Sequence, residues 1–223
     1  CEEYILQGRV KVNGEITTQL GTTVSPSDQV ELDGKILQAE SKNVYIMLNK
    51  PEKVMSTSSD PEGRPTVTQL IDLPYRLYPV GRLDYNTSGL ILLTNDGDAA
   101  YRLTHPKYEI EKEYLAVIKG EIDRRDILKL ERGVQIEETI TTAPAKVSVT
   151  GGTQHTVTLS ITIHEGRNRE VRKMLEAIDK ELLSLMRIRI GNINLGKLSS
   201  GAYRELNSTE LAYINSCLLY TSD

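Results

Sequence analysis

The chain has 223 residues, with 27 Lys+Arg against 31 Asp+Glu, two Cys, eight Pro and no Trp or Phe, so all eleven aromatic residues are Tyr. At 39% hydrophobic composition it can bury a core in one or two domains, which excludes a disordered chain, a collagen repeat and a disulfide scaffold. The net charge of −4 argues against a nucleic-acid binder that is basic throughout.

Cys1 and Cys217 stand at opposite ends of the chain, a usage that fits a reducing compartment better than a disulfide or metal site. No apolar run approaches the roughly 18 residues of a membrane helix and no signal peptide opens the chain, so a cytoplasmic protein is expected. Because it begins at Cys1 inside a helical-looking stretch, a fragment lacking its N-terminus is expected. Residues 218–223 show no pattern.

In chain order, Glu2 to Gln7 reads as the end of a helix with Gly8 as its cap. Arg9 to Val12 alternates as a strand into Asn13-Gly14, and Val30-Glu31-Leu32 meets Lys35-Ile36-Leu37 across Asp33-Gly34; both dipeptides suit type I′ hairpins. Residues 1–37 thus form a small unit, and polar residues 38–43 a linker.

Val44 to Leu48 is a strand, residues 60–65 a proline-stiffened loop, and Leu77 to Val80 and Leu90 to Leu93 two further strands. Asp123 to Arg132 has a helix-start Asp and ends at Gly133. Val157, Leu159, Ile161 and Ile163 alternate strictly with polar residues, which predicts a half-buried strand over 156–163. From Asn168, Val171, Met174, Leu175 and Ile178 follow helical spacing. Leu185 to Ile190 alternates again, placing Arg187 and Arg189 on one face. Recurrent hairpins with interspersed helices predict an α+β fold with a mainly antiparallel sheet, a large domain over 44–215 and a tail over 216–223.

The chain has no phosphate-binding glycine loop, no His/Cys cluster at metal-ligand spacing, and no nucleophilic serine elbow or Cys-His pair. What remains is one carboxylate and an uneven charge distribution. Asp84 follows an apolar strand and Gly81-Arg82, so it reads either as a turn-capping Asp or as a reactive group at a strand end. Residues 1–41 carry a net −4 and 108–140 a net −3, whereas 164–205 carry +3. Arg167, Arg169, Arg172 and Lys173 cluster at a helix start, either as solvated surface or as a phosphate-binding face.

The run Gly81-Arg82-Leu83-Asp84-Tyr85-Asn86-Thr87-Ser88-Gly89-Leu90-Ile91-Leu92-Leu93-Thr94-Asn95-Asp96-Gly97 closely resembles the catalytic motif of bacterial rRNA pseudouridine synthases, in the branch containing RsuA and RluB. Leu48-Asn49-Lys50-Pro51, Glu111 to Leu115, Glu165 to Met174 and the stretch Ile188 to Leu206 agree in order, so the resemblance covers nearly the whole chain. Residues 1–37 are similar to the later part of an S4 RNA-binding domain.

The resemblance implies a cofactor-free and metal-free conversion of uridine to pseudouridine. The N1 glycosidic bond breaks, the base turns, and it rejoins through C5. Asp84 is then the catalytic carboxylate, as nucleophile or as base. Arg172 is its cationic partner, expected as a bidentate pair, Tyr114 stacks on the target base, and Arg82 holds the flipped nucleotide or fills its place. Arg9, Lys11, Lys50, Arg167, Arg169, Lys173, Arg187, Arg189 and Arg204 are expected RNA contacts. The partner implied is ribosomal RNA, 23S in preference to 16S, engaged by a monomer. Because residues 1–37 are acidic, weaker RNA binding is expected than from an intact S4 domain. A non-catalytic RNA-binding protein on the same scaffold is the alternative.

Overall fold

Asn13-Gly14 and Asp33-Gly34 both take positive φ, 51° and 85°, then 51° and 75°, the backbone that a type I′ hairpin demands. They join β1 (Val10–Val12) to β2 (Glu15–Thr17) and β3 (Val30–Leu32) to β4 (Lys35–Leu37) in an antiparallel sheet of order β2-β1-β3-β4, preceded by α1 (Glu2–Leu6). None of these four strands holds a fully buried residue, as expected of so short a segment. Arg9 is tied to Asp33 at 2.9 Å within this unit. The computed structural model describes residues 2–25, 27–37 and 42–219, and the chain divides into Cys1–Asn43 and Val44–Asp223. Most of the expected linker, 38–41, lies outside the described residues.

The second unit is built on one large sheet. Its elements are β5 (Tyr45–Lys50), β6 (Tyr78–Val80), β7 (Ser88–Thr94), α2 (Gly97–Thr104), β8 (Lys112–Lys119), α3 (Arg124–Arg132), β9 (Gln135–Glu137), β10 (Ile140–Thr141), β11 (Lys146–Gly152), β12 (Thr156–Ile163), α4 (Glu170–Glu176), β13 (Leu182–Ile190), β14 (Ile193–Asn194), β15 (Tyr203–Glu205) and α5 (Ser208–Leu219). The order is β11-β12-β8-β13-β7-β5-β15, with β14 on β13 and β6 on β7, and β9 and β10 form a separate ribbon. Among the described strand pairs only β13 and β7 run parallel.

A strand buried on both faces reads as a continuous apolar run, and β7 shows why. Leu90 and Leu92 pack with Ala99 and Leu103 of α2 and Ile214 of α5, whereas Ile91 and Leu93 pack with Leu130 of α3 and Val171 of α4. Each such fully buried side chain contributes about 1.5–3 kcal/mol. Asp96 caps α2 by accepting from the Asp98 and Ala99 N–H groups at 3.0 Å, and Asp123 caps α3 from Asp126 N at 2.8 Å.

Three expectations change. The second half of β12 is not half-buried: Ser160 and Thr162 are enclosed as well, on the face where Glu113, opposite Thr162, accepts from Ser160 at 2.7 Å and from Arg189 at 2.8 Å. α5 continues through Leu219, so residues 216–219 are helix, not tail. In β13 a register shift separates Arg187, opposite Tyr114, from Arg189, opposite Glu113. Adjacent residues of β8 face opposite sides, so the bulge sends the two arginines to different faces.

β6 and β13 share one edge of β7. β13 pairs with Ser88 and Gly89, β6 pairs with Leu92 to Thr94, and the two diverge at Leu90-Ile91. The Leu90 carbonyl left between them accepts from Arg187 Nε at 2.8 Å. The loop leaving β6 enters this wedge.

Candidate active site

That loop carries Asp84. Ser56 holds the preceding residue from two sides: its hydroxyl donates to Leu83 O at 2.8 Å and accepts from Leu83 N at 3.0 Å. Thr87 N–H donates to Asp84 O at 3.0 Å, closing a turn. The backbone around Asp84 is therefore fixed, while its carboxylate stays 31% exposed.

The wedge forms a cavity of about 130 Å³, lined by Asp84, Tyr114, Arg82, Lys112, Arg187 and the loop before α4. Tyr114 reaches it from β8 and is 8% exposed. Arg82 is exposed, and neither it nor Arg169 has an ion-pair partner among the described residues. Arg169 also lines the cavity, in the left-handed region at φ 54°.

Arg172 comes from α4. Its Nε stands 3.7 Å from Asp84 Oδ2, and its Nη2 donates to Asn86 O at 2.5 Å and Thr87 Oγ1 at 3.1 Å. The expected bidentate pair is thus corrected, because Nη2 is spent on the turn after Asp84 and Nε has no hydrogen-bond partner. Burial lowers the Arg172 pKa, and the Asp84 charge partly offsets this.

Two of the expected surface cations, Lys50 and Arg187, are enclosed below the loop. Lys50 is fully buried and donates to Pro51 O at 3.0 Å and Val54 O at 2.9 Å, so it is enclosed and makes no surface contact with a phosphate. Its pKa falls to about 8, chiefly through burial. Arg187, 4% exposed, is also removed from the surface.

Other expected RNA contacts are engaged elsewhere. Arg189 pairs with Glu113 at 2.8 Å, Lys173 with Glu137 at 2.6 Å, Arg204 with Glu210 through two bonds, and Arg167 with Glu165 at 2.8 Å on the cavity rim. Arg9 and Lys11 belong to the first unit.

Two cavity residues escaped the sequence reading. Lys112 donates to Ile110 O at 2.9 Å and His164 O at 3.2 Å, and burial lowers its pKa to about 8. Its position two before Tyr114 on one strand was a usable signal, since such residues share a face. Glu170 is buried and accepts from Gly166 and Arg167 N–H at 2.8 and 2.6 Å, fixing the loop that walls the cavity, and burial raises its pKa.

The sequence pattern of RNA pseudouridylate synthases matches residues 44–177, which include Asp84, Tyr114 and Arg172, and that of the S4 domain matches residues 1–30. The chain belongs to the RNA pseudouridine synthase family. This pseudouridine synthase is 47% identical to ribosomal large subunit pseudouridine synthase B of Bacillus subtilis, over 95% of this chain and 87% of that one. It is 42% identical to the Yersinia pestis protein of the same name, over 96% of this chain and 69% of that one. A crystal structure of a pseudouridylate synthase, 32% identical, superposes with a TM-score of 0.73 over 96% of this chain and 91% of the other. The mixed sheet with flanking helices is the fold of this family.

Proposed function

We propose that this enzyme isomerises one uridine of large-subunit (23S) ribosomal RNA, with Asp84 as the catalytic carboxylate. The observation that carries the reading is the meeting of Asp84, Tyr114 and a set of basic side chains in one cavity at the wedge of the sheet. The names of the Bacillus and Yersinia relatives support the large subunit as target. Substrate and product are isomers, so the conversion calls for no oxidant, cofactor or energy donor. On this reading the enzyme acts as a monomer in the cytoplasm, where the bacteria of the named relatives make ribosomal RNA.

A uridine inside folded RNA must leave its stack to reach such a cavity, at a cost of a few kcal/mol. Stacking on Tyr114 offsets about 1–3 kcal/mol of that. Arg82 and Arg169 supply unpaired positive charge at the rim, where the phosphates flanking a flipped nucleotide pass. Asp84 attacks the ribose or removes a ribose proton; either role requires its ionised form.

The deciding experiment compares wild type and Asp84→Asn on 23S and 16S transcripts, mapping pseudouridine at single-nucleotide resolution. Wild type converts one 23S site, and the variant binds RNA but loses activity by about a hundredfold or more. An active Asp84→Asn enzyme overturns the assignment, and conversion confined to 16S overturns the choice of subunit.

A further inference from the structure

Arg187 is more tightly enclosed than the other arginines of the cavity, and its bonds leave one nitrogen unused. Nε donates to Leu90 O at 2.8 Å, in the gap where β6 and β13 part, and Nη1 lies 3.5 Å from Tyr114 Oη. Its Cζ is 6.0 Å from the Tyr114 ring centroid. Nη2 is buried and has no hydrogen-bond partner. An enclosed, charged donor without an acceptor is costly, so one kept beside a cavity calls for an explanation.

The setting is electropositive. The cavity lining carries Arg82, Lys112, Arg167, Arg169 and Arg187 against Asp84, Glu165 and Glu170, and Arg167 is committed to Glu165. Lys112 and Arg187 are the two cations at its buried end. Arg187 helps to depress the Lys112 pKa, and also that of Lys50, so these charges feel one another. Unmatched positive charge inside a pocket suits an anion that forms there.

We propose that Arg187 is a catalytic residue that donates to a carbonyl oxygen of the flipped pyrimidine and stabilises the base while it is detached from the ribose. The inference rests on the active-site reading above. When the N1–C1′ bond breaks, its electron pair leaves with the base and the negative charge spreads from N1 onto O2 and O4. When C5 bonds to C1′, the pair returns to the sugar; C5 then loses its proton and N1 gains one. The anion is transient, and it arises whichever way Asp84 acts. A fixed guanidinium beside the carbonyl oxygens stabilises it without reorganising at the moment of reaction.

The test uses single-turnover kinetics and RNA binding with target sites carrying uridine, 2-thiouridine or 4-thiouridine, since sulfur is the poorer hydrogen-bond acceptor. In wild type, one of the two thio substitutions slows conversion tenfold or more. Arg187→Gln lowers the rate on uridine about a hundredfold with RNA affinity within threefold, Arg187→Lys recovers part of the loss, and the sensitive thio substitution costs Arg187→Gln less than twofold. Additive penalties for the residue and the sulfur overturn the proposal, as does an Arg187→Gln loss confined to RNA affinity. If the variants do not fold, the wild-type series still decides, because indifference to both sulfurs overturns it. Failure of wild type to form any pseudouridine tells instead against the proposed function.

Discussion

Arg172 stands 3.7 Å from Asp84, yet its two short bonds go to Asn86 O and Thr87 Oγ1, so it fastens the turn that presents the carboxylate more firmly than the carboxylate itself. A guanidinium placed this way supplies positive charge and loop position together. Lysine in its place keeps the charge but cannot set one nitrogen on the turn and another beside Asp84. Arg172→Lys is therefore expected to lower kcat about a hundredfold, the scale of an ångström-sized misplacement, with a much smaller change in KM. Steady-state kinetics on a minimal RNA hairpin check this, and a near-normal kcat would show that charge alone suffices.

Tyr114 separates stacking from hydroxyl chemistry. Tyr114→Phe keeps the ring, so RNA affinity is expected to hold within about twofold, whereas Tyr114→Ala loses about 1–3 kcal/mol of base stacking. Filter binding on the target hairpin measures both. Equal losses in the two variants would place the effect in the hydroxyl.

Gly89 sits at φ +104°, and a Cβ there would lie 2.2 Å from Arg187 O. The parallel pairing of β7 with β13 at this point needs the missing side chain. Gly89→Ala is expected to destabilise by about 3 kcal/mol, combining backbone strain with overpacking, seen as a lower urea midpoint. An unchanged midpoint would mean that β13 can slide away.

Lys50 gives stability a pH dependence with a definite sign. Its folded pKa of about 8 lies below the 10.5 of the free side chain, so between these values the unfolded chain binds more protons than the folded one. The contribution is unfavourable below pH 8 and is relieved as pH rises towards 10.5, a swing of about 3 kcal/mol. Lys50→Met is expected to flatten that rise in urea-unfolding free energies from pH 8 to 10.5. Parallel profiles for wild type and variant would show that Lys50 keeps its proton.

Much of this protein was legible in its sequence because the relevant physics is local. The type I′ turns at Asn13-Gly14 and Asp33-Gly34, the cap at Asp123 and the apolar periodicity of α4 all depend on residues within a few positions of each other. Motif order carried the family, and with it Asp84, Tyr114 and Arg172.

Tertiary structure decided what depends on neighbours distant in the chain. Alternation alone put Arg187 and Arg189 on one face; the bulge against β8 separates them, leaving one beneath the cavity and the other bound to Glu113. Lys50 looked like a surface cation until β5 was placed inside the sheet, where two carbonyls hold its ammonium group. The overall charge of −4 described the composition correctly and the site poorly. A composition fixes how many charges a chain carries, but the fold sets which of them lose water, and a charge out of water governs a site far more strongly than one left in it.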